Sequence, residues 1–344
     1  MNDRENAVWR RFAAEARHMG SPLYESLSLA VSEDPQLMAL AARARAGQPH
    51  PNLLLAAVHF LLLRGAPHPL RNFYATLGGM ERGNAFPAFR DFVLTHADDV
   101  APLVERRVTN TNETARSSVL RAGFAALAVR EPAPLQLIEI GPSAGLNMIW
   151  DRYGMRYRRD GAVVAQIAPD APLVLDCELR GPIMPPLSPT PVIAGRIGLE
   201  RDPVNLSDPD DRDWLRALVW PDQPHRLDRL NRAIAIYLKA PPDIRHGDAL
   251  ALLPDVLSRM PAQAAACVYH TIAVYQFSPA MKETLTALLA EAGLRRPVWH
   301  LSFEFDGTDY ALTLTRHHQG RAEPERLALA QAHGGWIEWR AGQI

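Results

Sequence analysis

Residues 135–150 read LQLIEIGPSAGLNMIW, and the fold turns on how this stretch is parsed. Residues 135–140 are a short, mostly apolar run. Residues 141–145, GPSAG, bring two glycines and a proline, and residues 146–150 return to helix-compatible side chains, so the stretch reads as strand, tight turn, helix. At the carboxyl end of a parallel strand, glycines let the backbone approach a ligand, and a following helix offers unpaired N–H groups. A nucleotide-like ligand is expected at this turn.

Two chemistries fit the same residues. Glu139, Gly141 and Gly145 match the E-x-G-x-x-x-G opening of S-adenosylmethionine (SAM) methyltransferases, with Ser143 where the middle glycine usually stands. Asn147, just beyond the turn, joins the candidate contacts. The five residues also spell G-x-S-x-G, the nucleophile elbow of α/β-hydrolases, which would present Ser143 above the sheet. Asp248 and then His270, His300 or His317 follow in the chain order of such a triad.

A chain of 344 residues, 47% hydrophobic and with a formal charge of minus one, can bury one large core or two smaller ones and lacks the charge of a polyanion-binding surface. No nucleic-acid partner is expected. Cys177 and Cys267 form neither a metal spacing nor a disulfide framework, which suits a reducing bacterial cytoplasm. The longest apolar run, residues 53–63, contains His59 and is too short to span a bilayer. No metal-ligand spacing is found: His317 and His318 are adjacent, without a carboxylate partner.

Upstream of the turn the pattern is helical, so residues 1–130 are expected to form a helical domain or lid. Ser21-Pro22 and Asp34-Pro35 read as N-cap and N1 pairs. His59, His68 and Tyr74 sit among apolar residues and are expected in the core. Residues 109–116, TNTNETAR, read in two compatible ways: Asn110 and Glu113 as a capping box, or Asn112, Glu113 and Arg116 as residues facing the mouth of the following strand, with Arg116 a candidate for a bidentate grip on a carboxylate.

Residues 131–344 are expected to form a Rossmann-like, mostly parallel sheet, interrupted by a β-rich insert at 151–191 that covers substrate or merely ornaments the packing. The next core strand, 192–199, ends in Glu200, placed to accept from two ribose hydroxyls, with Asp202 in reserve. A third strand at 244–246 leads to Asp248, which reads equally as an adenine-side acid or an N-cap. A fourth, 264–270, ends at His270, a candidate base or orienting group with Tyr275 nearby. Residues 298–305 and 310–315 read as a hairpin where a methyltransferase has a crossover helix, and 336–340 as a final strand.

The stretches PNLLLAAVHFLLLRG (51–65), HPL (68–70), TNETAR (111–116), IEIGPSAGLNMIWDRY (138–153), GLERDPVNLSDPDDRDWLRALVWP (198–221), HGDALALLP (246–254) and HGGWIEW (333–339) together resemble a bacterial family of unknown function with a SAM-methyltransferase-like second half. The resemblance implies an α/β fold with an N-terminal helical domain and SAM as cofactor. It implies Glu139, Gly141 and Gly145 at the cofactor turn, Glu200 at the ribose and Asp248 beside the adenine. The leading expectation is a methyltransferase of a small molecule, with His270 and Tyr275 acting on the acceptor. The alternatives are a serine hydrolase built on Ser143 and a non-catalytic SAM-fold ligand-binding protein.

Overall fold

The LQLIEI run forms a strand in which every residue is buried, as expected of a parallel strand covered on both faces. The computed structural model describes residues 3–110 and 112–342. In chain order the first helices are α1 (Asp3–His18), α2 (Pro22–Val31), α3 (Pro35–Ala41), α4 (His50–Leu63), α5 (Phe86–Thr95), α6 (Ala97–Arg106) and α7 (Arg116–Arg130). Then come β1 (Leu135–Ile140), β2 (Gly154–Arg159), β3 (Ala162–Ile167), β4 (Val174–Arg180) and β5 (Ile193–Glu200). After α8 (Pro209–Ala217) and α9 (Pro224–Tyr237) follow β6 (Asp243–His246), α10 (Ala249–Ser258), β7 (Ala265–Thr271) and α11 (Pro279–Arg295). The chain ends in β8 (Val298–Phe305), β9 (Tyr310–His318), β10 (Arg321–Ala330) and β11 (Trp336–Trp339).

The chain divides into two compact units, Met1–Thr111 with Asn205–Asn231, and Asn112–Val204 with Arg232–Ile344. The helical part therefore ends at 111 rather than 130, and takes in a later segment. Helix α7 belongs with the sheet because it packs on β4, on β9 and on the turn after β1.

In the helical unit, α4 is apolar on almost every face and is buried along its length, with α1, α3, α6 and α8 around it. Asp34 caps α3 by accepting from the N–H groups of Gln36 and Leu37, as its sequence predicts. Ser21 precedes Pro22 at the start of α2 but caps nothing; its hydroxyl bonds Asp222 at 2.6 Å. His59 lies in the core, its ring nitrogens 3.0 Å from Ala217 O and 2.8 Å from Thr76 Oγ1. Burial takes its pKa down to about 4, against backbone hydrogen bonds at Ala217 and Val219 that oppose the shift. Tyr74 is fully buried beside it. His68 accepts from Leu70 N–H and faces Asp91.

In the second unit a single sheet runs β3-β2-β4-β11-β10-β9-β8-β7-β1-β5-β6. The neighbours β6, β5, β1, β7 and β8 are all parallel. Counted along the chain, these five strands stand in the spatial order 3-2-1-4-5, which reverses between β1 and β7 and creates a topological switch point there. The β8–β9 hairpin forms as expected. Strand β10 is the element missed in the sequence: its first half is polar, exposed and contains Pro324, and only Leu327, Ala328 and Ala330 are buried. The insert does not stand apart from the sheet. Its strands β2, β3 and β4 lengthen the same sheet, because β4 pairs in parallel with β11. Both cysteines are buried as free thiols. Among the described residues no helix is long and apolar enough to cross a membrane.

Candidate functional site

β1 leads into a turn with three left-handed residues, Gly141 (φ +67°), Ser143 (φ +54°) and Gly145 (φ +75°). A Cβ at Gly141 would lie 2.8 Å from Ala273 Cβ, and one at Gly145 would lie 2.7 Å from Ile244 Cδ1, so backbone hand and neighbours both demand glycine. The helix expected after the turn is instead a 3-10 stretch, Leu146–Arg152, kinked at Ile149. The array of N–H groups that an α-helix would aim at a phosphate is therefore missing.

Three predicted residues meet at this turn. Glu200, at the end of β5, accepts from Ser143 N–H at 2.7 Å through Oε2 and from Asp202 N–H at 3.2 Å through Oε1. Asn112 donates through Nδ2 to Ser143 Oγ at 2.5 Å and accepts from Ala144 N–H at 3.2 Å. Turn, asparagine and carboxylate thus form one bonded unit.

Other predicted residues have different tasks. Asn147 is buried, accepting from Ser117 Oγ at 2.8 Å and donating to Glu113 O at 3.4 Å, so it braces the 3-10 stretch against the start of α7. Glu139 is buried and accepts from Tyr269 Oη at 2.9 Å. Burial raises its pKa to about 8, and Glu200 pushes the same way, against the Tyr269 hydrogen bond and the Arg116 charge. Arg116 donates through Nε to Ala332 O and through Nη1 to Thr271 O, pinning the end of β7. The capping box does not form, because α7 begins only at Arg116; Glu113 accepts from Ala115 N–H, and Thr111 lies outside the described residues. Asp248 is the exposed N-cap of α10, bonded to Leu250 and Ala251 N–H.

His270 stands at the end of β7 as expected, but both ring nitrogens are engaged. Nδ1 lies 2.7 Å from Glu304 Oε1 and Nε2 lies 2.9 Å from His300 Nε2. Glu304 Oε1 also accepts from Ala273 and Val274 N–H, each at 2.9 Å. Burial would raise the Glu304 pKa; His270 and the two N–H groups outweigh it and hold the carboxyl below its ordinary value. His300 is pushed well below the ordinary histidine value by burial, then by the adjacent His270 and His317. Ile272, directly after β7, has φ +50°, an outlier for a β-branched residue.

Tyr275 lies on a 3-10 turn and is 59% exposed, so it does not share His270's enclosed setting. No Ser-His-Asp triad is assembled either: Ser143 Oγ faces Asn112, Asp248 caps a helix, and His270 is held by Glu304 and His300. His317 is buried with neither ring nitrogen bonded. No group of three or more potential metal ligands occurs among the described residues.

Glu304 is the residue the sequence reading missed. Alternation along β8 puts Val298, His300, Ser302 and Glu304 on one face, and this could have drawn attention to an acid ending a strand beside the one that ends in His270.

A family model described as an uncharacterized protein conserved in bacteria (DUF2332) matches residues 6–339. Neither the curated proteins nor the solved structures gave a match.

Proposed function

Given that the chain belongs to the DUF2332 family of bacterial proteins, we propose that it is a SAM-dependent methyltransferase of a small molecule. The observation that carries the reading is the switch point between β1 and β7, with the glycine turn ending β1 and Glu200 ending the neighbouring β5. Ligands of open parallel sheets bind outside the carboxyl ends of the strands at such a point.

The residues favour one nucleotide class over another. Ser143 N–H, which could have faced a phosphate, is taken by the Glu200 carboxylate, and an anion at the turn repels pyrophosphate. A carboxylate has about four lone-pair sites, so Glu200 can still accept from vicinal ribose hydroxyls while it holds Ser143 and Asp202. These features suit an unphosphorylated nucleoside, the part of SAM this turn would hold. The bound cofactor supplies an electrophilic methyl group. Gly141 and Gly145 then allow close approach, Glu200 orients the ribose, and the enzyme's task is largely alignment.

Calorimetric titration with SAM and S-adenosylhomocysteine tests this. Micromolar binding, about 8 kcal/mol, weakened tenfold or more by Glu200→Ala, is expected. Absence of heat and of thermal stabilisation at millimolar ligand overturns the reading. One observation favours the hydrolase alternative, the positive φ of Ser143, a strained backbone of the kind an elbow needs. Labelling by a serine-reactive phosphonate, lost in Ser143→Ala, would support it.

A further inference from the structure

We propose that Glu304 is a specificity residue of this edge, a fixed carboxylate that favours a ligand bearing a positive charge, the sulfonium, over the neutral thioether left after methyl transfer. The ligand's identity rests on the methyltransferase reading; the choice of residue rests on geometry.

Glu304, next to last in β8, lies beside the end of β7, one place beyond the Thr271–Phe303 pair of the register. Ala273, from whose N–H it accepts, is the residue whose Cβ a side chain at Gly141 would meet at 2.8 Å. One residue therefore separates the carboxylate from the glycine turn.

The carboxylate is held by a chain of donors. A 2.9 Å contact between two ring nitrogens, His270 Nε2 and His300 Nε2, holds one proton. With that proton on His300, His270 carries its own on Nδ1 and donates it to Glu304. Ala273 and Val274 N–H complete three donors on a single oxygen. Their delivery comes with backbone strain at Ile272, which is held at φ +50°.

A carboxylate fixed in this way does not need to reorganise when a charged ligand arrives. In a partly desolvated edge it attracts a cation far more strongly than it would in water. SAM and S-adenosylhomocysteine share nucleoside, ammonium and carboxylate and differ in the sulfonium methyl, so the ratio of their affinities isolates the effect of that charge. Glu139, Glu200 and Arg116, ionisable groups at the same edge, remain in both measurements and in the Glu304 variant.

The test is that ratio in the wild type and in Glu304→Gln, which keeps the shape and an acceptor oxygen but removes the charge. The wild type should favour SAM, and the variant should shift the ratio toward S-adenosylhomocysteine by about tenfold, the order expected of a partly screened charge pair. An unchanged ratio overturns the inference while leaving the methyltransferase reading intact. Failure of both ligands to bind the wild type overturns both. If Glu304→Gln does not fold, the wild-type ratio is followed against pH. Between about pH 7, below the range in which Glu139 ionises, and about pH 5 it should stay constant, in the wild type and in Glu200→Gln alike, and fall only below that as carboxyl groups protonate; a fall centred in the histidine range, or one lost in Glu200→Gln, overturns the assignment to Glu304.

Discussion

The two units each bury a histidine with both ring nitrogens engaged, and the settings differ. His59, in the helical unit, meets a carbonyl and a hydroxyl, both neutral, and sits on a regular helix. His270, in the sheet unit, meets a carboxylate and another histidine next to a left-handed isoleucine. Backbone strain divides in the same way. Among the described residues, the positive-φ residues of the helical unit are all glycines, whereas Ser143, Asp160, Ala168, Ile272 and Gln319 all lie in the sheet unit. Asp160 and Gln319 serve strand reversals, and Ala168 follows β3. Ser143 and Ile272 flank the switch point. A buried histidine alone therefore does not mark a site; an ionised partner and strained backbone beside it are what set the proposed one apart.

The largest expected effect concerns Glu139, a buried acid of the sheet unit. Its folded pKa of about 8 exceeds the unfolded value, so its contribution to stability is complete below about pH 4.5 and is lost as pH rises through 8. The loss has an upper bound of about 5 kcal/mol, from the pKa difference at 1.36 kcal/mol per unit. Glu139→Gln, which can still accept from Tyr269, should match the wild type at pH 4 and exceed its stability at pH 9 in urea unfolding. Equal stabilities at pH 9 would mean that the fold does not raise the acid's pKa.

His59 should behave oppositely. Its folded pKa of about 4 lies below the unfolded value near 6.5, so stability is lost as pH falls between these values, by up to about 3 kcal/mol. Protection factors of the α4 amides, corrected for the intrinsic pH dependence of exchange, should fall over that window in the wild type, and His59→Gln should remove that fall. If the protection factors ignore pH there, the contrast between the two histidines fails on its quieter side.

Gly141→Ala comes next. The left-handed backbone costs about 1 kcal/mol for a residue with a Cβ, and the added carbon meets Ala273 at 2.8 Å. A total loss of about 1–3 kcal/mol is expected, with SAM binding impaired because the turn must move. Gly65→Ala in the helical unit, also left-handed but with nothing near its Cβ, should show only the backbone cost. Chemical denaturation of the two variants separates strain from crowding.

Much of this contrast was legible in the sequence at the level of elements. The apolar run and glycine pair located β1 and its turn, and alternating segments gave the parallel strands, because periodicity and turn chemistry are local. Glu200 could be placed for the same reason: it ends a strand. The roles of Asn147, Arg116 and Glu139 were not legible, since burial and bonding partners depend on long-range pairing, as in the bond from Arg116 to Ala332. Residues 151–191 looked like an insert because nothing local announces that β4 will pair with β11, more than 150 residues onward. Glu304 escaped for the same reason, being defined by β7 and by the strained Ile272 turn.

Ser143→Gly is the smallest effect and the one that best sharpens the contrast. Glycine adopts φ near +54° without the steric penalty serine bears, which should stabilise the protein by up to about 1 kcal/mol. Against this stands the lost hydrogen bond between Asn112 and the hydroxyl, worth about 0.5–1.5 kcal/mol, so the net change should be near zero. Asn112 would still hold the turn through Ala144 N–H, and Glu200 through residue 143 N–H. SAM binding should persist, since the variant restores the glycine usual at that position, while any phosphonate labelling should disappear. A variant that folds normally but loses SAM binding would make the Ser143 hydroxyl, rather than the backbone turn, the feature the ligand requires.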